Sequence, residues 1–178
     1  DYVVEAVRSN HVVLGFAYAF VEKPRAGRFY PEKAKKLGVP EGELWSRLQR
    51  GEAVELEDGR IVCSEEVVGS LRKGRKIVYS GDTRPFDGFV RFAAGADLVV
   101  HEATFDDTLA EKAEVDGHST PSQAALQAKR AGAKKLVLTH ISARYADAGL
   151  LLEQAQKVFE DVVVAEDFLV LELPLPNG

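Results

Sequence analysis

The chain has 178 residues, 46% hydrophobic and 29% charged, with 23 Lys and Arg against 28 Asp and Glu for a net charge of −5. That is the balance of one globular domain with one core, and it excludes a uniformly basic nucleic-acid binder. No apolar run reaches the roughly 18 residues of a membrane span, and the single cysteine, Cys63, excludes a disulfide framework and a multi-cysteine zinc site, so a reducing, cytoplasmic setting is expected.

The chain opens at Asp1, contains no Met, and Tyr2–Val7 already reads as a strand, so an upstream segment is expected. Residues 1–21 predict paired β-structure, with Val3, Val4, Ala6 and Val7 on one strand and Val12, Val13, Leu14, Phe16, Tyr18 and Phe20 on the next. His11 falls in the break between them. From Glu22 to Gly59 the texture changes: Pro24, Gly27, Pro31, Gly38, Pro40, Gly42, Gly51 and the Asp58-Gly59 turn punctuate two short helical stretches. Between residues 22 and 50 there are eight Lys and Arg against four Glu, a net charge of +4 that leaves −9 for the rest.

Beyond Arg72–Lys76 the pattern becomes regular. Three short apolar strands, Ile77–Tyr79, Leu98–Val100 and Leu136–Leu138, alternate with helical segments near Phe86–Ala94, Phe105–Ala113 and Pro121–Ala131. Continuous Val/Leu strands between helices predict parallel β-α units buried on both faces. A last helix near Ala148–Phe159 leads into a final strand expected to run from Val162 through Leu173.

Each of the three strands ends in a group able to bind a metal or move a proton: Asp82, then His101 with Glu102, then His140. In α/β sheets ligands collect at the carboxyl ends of strands, so these groups are expected to converge, and His with Asp is a suitable ligand set for zinc. Each also has an ordinary structural explanation. Asp82 or Thr83 is placed to cap a helix entered at Pro85, and Thr120, Pro121 and Gln123 make a capping box that leaves Ser119 and Thr120 without need of a catalytic role. All four histidines nevertheless fall at element junctions, which singly would mean little.

Gly81-Asp82-Thr83, His101-Glu102-Ala103-Thr104-Phe105, His118-Ser119-Thr120 and Thr139-His140-Ile141-Ser142-Ala143-Arg144-Tyr145 resemble, in order and spacing, the signature segments of the ribonuclease Z branch of the metallo-β-lactamase superfamily. The resemblance runs over nearly all 178 residues. It implies an αββα sandwich of which residues 1–178 supply the C-terminal half, and a zinc-dependent endoribonuclease that removes the 3′ trailer from precursor tRNA. It implies two Zn2+ ions per complete site, with His11, Asp82 and His140 as metal ligands, Asp82 bridging the two. Glu102 and His118 take the catalytic roles, the carboxylate orienting an imidazole that protonates the leaving ribose oxygen. His101 keeps a structural reading.

Residues 22–59 resemble the family's protruding tRNA-binding arm, in accord with their local positive charge. A homodimer with no membrane association is also implied. Two features depart from the family pattern: Ala17-Tyr18-Ala19 stands where Gly-Tyr-Arg is usual, and the His-x-His-x-Asp-His segment that supplies most ligands is not among these residues. The competing readings are another phosphodiesterase or hydrolase of the same superfamily, and a non-catalytic RNA-binding subunit lacking that segment upstream.

Overall fold

The computed structural model describes residues 1–176 and contains, in chain order, strands β1 (Tyr2–Arg8) and β2 (Phe16–Glu22), helices α1 (Pro31–Lys36) and α2 (Glu43–Gln49), strands β3 (Val54–Glu55) and β4 (Ile61–Val62), and helix α3 (Ser64–Val67). Then follow β5 (Lys76–Tyr79), α4 (Asp87–Phe92), β6 (Leu98–Glu102), a 3-10 turn at Asp107–Leu109, α5 (Ala110–Asp116), α6 (Pro121–Ala131), β7 (Leu136–Thr139), α7 (Gly149–Gln156) and β8 (Val162–Val164). None of these helices is long and apolar enough to cross a membrane. The chain divides into two units, Asp1–Glu22 with Arg75–Pro174, and Lys23–Gly74 joined by Leu175 and Pro176.

The first unit is one six-stranded sheet in the order β1-β2-β5-β6-β7-β8. β1, β2 and β5 pair antiparallel, whereas β5 through β8 run parallel, joined by the helical crossovers that parallel strands require. Period-two alternation sorts the side chains onto two unlike faces. Ala17, Ala19, Val78, Val99, Leu136 and Leu138 lie on one face and pack with Phe89 of α4, Ala124, Ala125 and Ala128 of α6 and Ala155 of α7. Small residues on both sides of this seam let helix and sheet approach closely. The opposite face carries Tyr2, Val4, Phe16, Tyr18 and Tyr79, all large and all exposed.

Two strand expectations need correction. Val12, Val13 and Leu14 belong to no strand: Ser9 donates its N–H to the Gly15 carbonyl at 3.0 Å, closing a loop that leaves all three exposed. Their β-branched character expressed strand propensity without a neighbouring strand to pair with. The last strand stops at Val164, because its sole partner β7 ends at Thr139 and the following His140 turns the chain with φ of 55°. A final ladder bond, Ala165 N–H to Leu138 O, marks the end.

The second unit has its own core of Ala34, Val39, Leu48, Val54, Leu56, Val62 and Val67, closed by Phe29 and Trp45. β3 and β4 form a two-stranded antiparallel pair, and isolated bridges join Arg25 to Arg72 and Phe29 to Val68. The Trp45 indole donates to the Val39 carbonyl at 3.1 Å, fixing α2 against the turn after α1. Lys33, Lys35 and Lys36 project from α1 into solvent, two of them over aromatic rings, Lys33 over Tyr30 and Lys35 over Trp45.

Candidate metal centre

The site is built on the loops that leave β5, β6 and β7, with help from the loop after β1 and the turn after α5. Asp82 follows β5 by way of Gly81, whose φ is +58° and where an added Cβ would stand 2.6 Å from the Phe16 carbonyl oxygen. Only glycine suits that position. Neither Asp82 nor Thr83 caps α4, which starts at Asp87 behind Phe86, so the capping explanation is withdrawn. Thr83 instead holds the neighbouring loop: its hydroxyl accepts from Asn10 N–H at 3.0 Å and donates to the Arg84 carbonyl at 2.7 Å.

On β6 the two polar residues go to opposite faces. His101 is wholly buried on the helix-covered side, edge-on to Phe89 at 4.9 Å, with its Nδ1–H on the Glu102 carbonyl oxygen at 2.7 Å and its Nε2 without a partner. Burial pushes its pKa below the ordinary 6.5, so it is a neutral core residue. Glu102 points the other way and is also buried, yet five donors meet its two oxygens. Oε1 accepts from Thr83 N–H (3.0 Å) and His118 Nδ1 (2.8 Å); Oε2 accepts from Thr104 N–H (3.1 Å), Thr104 Oγ1 (2.8 Å) and Ser119 N–H (3.1 Å). A buried carboxylate is costly unless paired and hydrogen-bonded, and here every approach is filled. One side chain thereby ties together the loops after β5 and β6 and the entry to α6.

The capping box at α6 is present as expected, with Gln123 Oε1 accepting from Thr120 N–H at 3.0 Å, and Ser119 Oγ donates to the Thr83 carbonyl at 2.7 Å. Both residues are structural, and together they place His118 one step before the helix. Gly117 makes room on the other side. Its φ is +90°, and a Cβ there would lie 2.6 Å from His11 Nδ1, which donates to the Gly117 carbonyl at 2.8 Å.

The three histidines of this region share one design. His11 is held through Nδ1 by a backbone carbonyl, His118 through Nδ1 by Glu102, and His140 through Nδ1 by Thr104 Oγ1 at 2.8 Å. Each therefore keeps Nε2 available, the arrangement in which an outer acceptor fixes ring and tautomer of a metal-binding imidazole. The His118 ring stacks 5.3 Å from His140 and lies 5.0 Å from His11. His140 Nε2 stands 3.7 Å from Asp82 Oδ1. One ligand atom each from Asp82, His118 and His140 falls within 4.8 Å of the others. A carboxylate and imidazole nitrogens at this spacing, half-exposed and held from behind, suit a borderline ion such as zinc.

The structure thus brings Asp82, His118, His140 and Glu102 together, and sets His11 one ring further out, against His118. His118 stands both on Glu102 and among the candidate ligands. Thr104 and Gly117 carry the site without having been singled out from sequence, and Thr83, expected there as a helix cap, holds a loop instead. Thr104 had one visible signal, its place two residues after Glu102 at the end of a strand. Tyr79 borders the site from the exposed sheet face; burial, then the charges of Asp82 and Glu102, push its phenol above the ordinary range and keep it protonated. Phe105 lies edge-on to His118 at 6.0 Å under the guanidinium of Arg144 at 4.8 Å.

Residues 50–141 match the beta-lactamase superfamily domain, and the chain belongs to that family. Its relatives narrow the class. It is 51% identical over 174 residues to Ribonuclease Z of Methanosarcina acetivorans and 52% identical over 180 residues to Ribonuclease Z of Haloferax volcanii, covering 97% and 100% of this chain and 57% of each relative. The chain therefore spans little more than half the length of these curated relatives. Among solved structures, human tRNase Z, short form, superposes with a TM-score of 0.59 at 32% identity, over 98% of this chain and 44% of that one. The metallo-beta-lactamase fold protein YhfI from Bacillus subtilis superposes with a TM-score of 0.61 at 20% identity, over 96% and 50%, which speaks for the fold alone.

Proposed function

We propose that this chain is the C-terminal half of a zinc-dependent endoribonuclease that cleaves precursor tRNA at its 3′ end. The observation that carries the reading is the convergence within 4.8 Å of Asp82 and His140, which follow parallel strands, with His118 from the turn between α5 and α6, in a chain about half identical to proteins named Ribonuclease Z. The exposed row of Tyr2, Val4, Phe16, Tyr18 and Tyr79 supports the half-domain reading, since a sheet this apolar on its outer face calls for a second layer. The relatives are long enough to supply one.

Asp82 and His140 would hold the metal, with His11 contributing from the loop after β1, and the resemblance implies that Asp82 would be shared by two ions. Bound zinc supplies a Lewis acid and an activated water for attack on a phosphodiester. The protein's own residues then manage position and protons. Glu102 holds the His118 ring through Nδ1, so that Nε2 faces the site and delivers a proton to the ribose oxygen leaving the scissile phosphorus. A ring nitrogen of His118 lies within 4.8 Å of ligand atoms of Asp82 and His140, which favours a second role as a metal ligand. Metal analysis of His118→Ala separates these: retained zinc with lost cleavage marks the acid, lost zinc marks the ligand.

Residues 22–59, all but Glu22 within the second unit, would provide a sequence-independent grip on the tRNA backbone through Lys33, Lys35, Lys36 and their neighbours. The resemblance further favours a homodimer, and the single cysteine a reducing, cytoplasmic setting. The test is cleavage of a precursor tRNA carrying a 3′ trailer by the complete gene product, before and after chelation and zinc return. Zinc-dependent release of the trailer is expected. Cleavage of a small phosphodiester alone indicates another hydrolase of the superfamily, and tRNA binding with no cleavage of either substrate indicates a binding subunit.

A further inference from the structure

We infer that Thr104 is a positioning residue that fixes the tautomer of His140 by relaying the hydrogen-bonding demand of Glu102. Thr104 Oγ1 lies 2.8 Å from Glu102 Oε2, 2.8 Å from His140 Nδ1 and 3.2 Å from His118 Nδ1. A threonine hydroxyl has one proton, and a carboxylate can only accept. That proton therefore goes to Glu102 Oε2. The hydroxyl is left with lone pairs alone to offer the imidazoles, so His140 must carry its proton on Nδ1 and leave Nε2 bare. Nε2 is the atom facing Asp82 at 3.7 Å.

The backbone makes this alignment hard to escape. Ala103 N–H bonds to the Thr139 carbonyl at 2.9 Å and Ser142 N–H to the Thr104 carbonyl at 3.1 Å, stitching the two loops on either side of the Thr104–His140 pair. His140 itself sits at φ 55°, a left-handed conformation that a β-carbon makes unfavourable and that surrounding contacts must hold. Thr104 Oγ1 also lies within reach of His118 Nδ1. One buried carboxylate thus governs two imidazoles, His118 directly and His140 through the hydroxyl.

The tautomer claim stands on the geometry alone; only its consequence for zinc rests on the metal-site reading. The test uses the complete gene product, metal-free and above pH 8, with the ring nitrogens of His140 followed by long-range 15N–1H NMR. The wild type should show the Nδ1–H form, and a dominant Nε2–H form overturns the inference without any variant. Thr104→Ser keeps the hydroxyl and should keep that tautomer. Thr104→Val keeps the shape, loses the relay, and should give a mixture; an unchanged tautomer in Thr104→Val overturns the inference. Zinc affinity by chelator competition should fall about 10–100-fold in Thr104→Val and stay near wild type in Thr104→Ser. Should the wild type bind no zinc while the tautomers follow this pattern, the metal reading fails and the role of Thr104 stands. Equal zinc affinity in wild type and Thr104→Val, with the wild type binding tightly, rejects the relay as a support for the metal site.

Discussion

The two units of the chain handle polar groups differently. In the unit formed by Asp1–Glu22 and Arg75–Pro174, Glu102, Thr104, Thr83 and Ser119 are buried and bonded to one another, and Asp82 and His140 stand half open beside them. In Lys23–Gly74 the core cluster is built of Ala, Val and Leu, Ser64 is buried beside it and donates its hydroxyl to the Leu48 carbonyl, and Lys33, Lys35 and Lys36 lie exposed on α1. The contrast accords with the two tasks proposed for them. Chemistry at a fixed point needs donors and acceptors preorganised before the substrate arrives, whereas attraction of a polyanion needs only positive charge on a stable base.

Substitutions in the two units should therefore fail differently. The largest effect is expected at the open end of the network: Asp82→Ala or His140→Ala should remove bound metal and precursor-tRNA cleavage together, beyond the roughly 10–100-fold loss typical of a supporting group. Metal analysis beside a cleavage assay checks this, and a variant that stays active without metal breaks the comparison. Glu102→Ala should cost about 3 kcal/mol or more in urea unfolding, because the N–H groups of Thr83, Thr104 and Ser119 lose their acceptor inside the protein. A loss under about 1 kcal/mol would mean the network is not preorganised by this carboxylate.

In the other unit, replacing Lys33, Lys35 and Lys36 by Gln should leave stability and the rate on a small phosphodiester unchanged. Its effect should appear in the salt dependence of tRNA binding, whose logarithmic slope falls by about 2 to 3 if all three meet phosphate. The smallest effect is a pH dependence inside the core. His101 is neutral when folded and has a lowered pKa, while the unfolded chain protonates near the ordinary 6.5, so the unfolded state binds more protons as the pH drops. The stability contributed by its neutral burial is complete above about pH 6.5 and declines as the pH falls through that value toward the lower folded one. His101→Phe should flatten this part of the stability profile; an unchanged profile assigns the acid sensitivity to other groups.

The parallel half of the sheet was plain in the sequence because each strand is a short unbroken apolar run and each helix has its own punctuation, as at Thr120-Pro121 and Gly132 for α6. His11 falls in a loop as expected, but Val12, Val13 and Leu14 read as strand because they carry strand propensity, whereas the loop is set by the bond from Ser9 to Gly15 and by the seat of His11 on Gly117. These are tertiary facts with no local signal. Asp82, His118 and His140 were legible from their strand ends and motifs. Thr104 and Gly117 were not, since the role of a hydroxyl depends on which three groups surround it, and that of a glycine on what would meet its missing Cβ. The Thr83 hydroxyl was mistaken for a helix cap for the same reason.

On the reading proposed above, Asp82 and His140 hold a metal ion whose imidazole ligand is fixed from behind. The most direct measurement is anomalous X-ray diffraction at the zinc edge on crystals of the complete gene product. The account predicts a peak at about 2.0–2.2 Å from both an Asp82 carboxylate oxygen and His140 Nε2, with His140 Nδ1 still on Thr104. A zinc-supplied crystal with no peak there, or with zinc on His140 Nδ1, contradicts it.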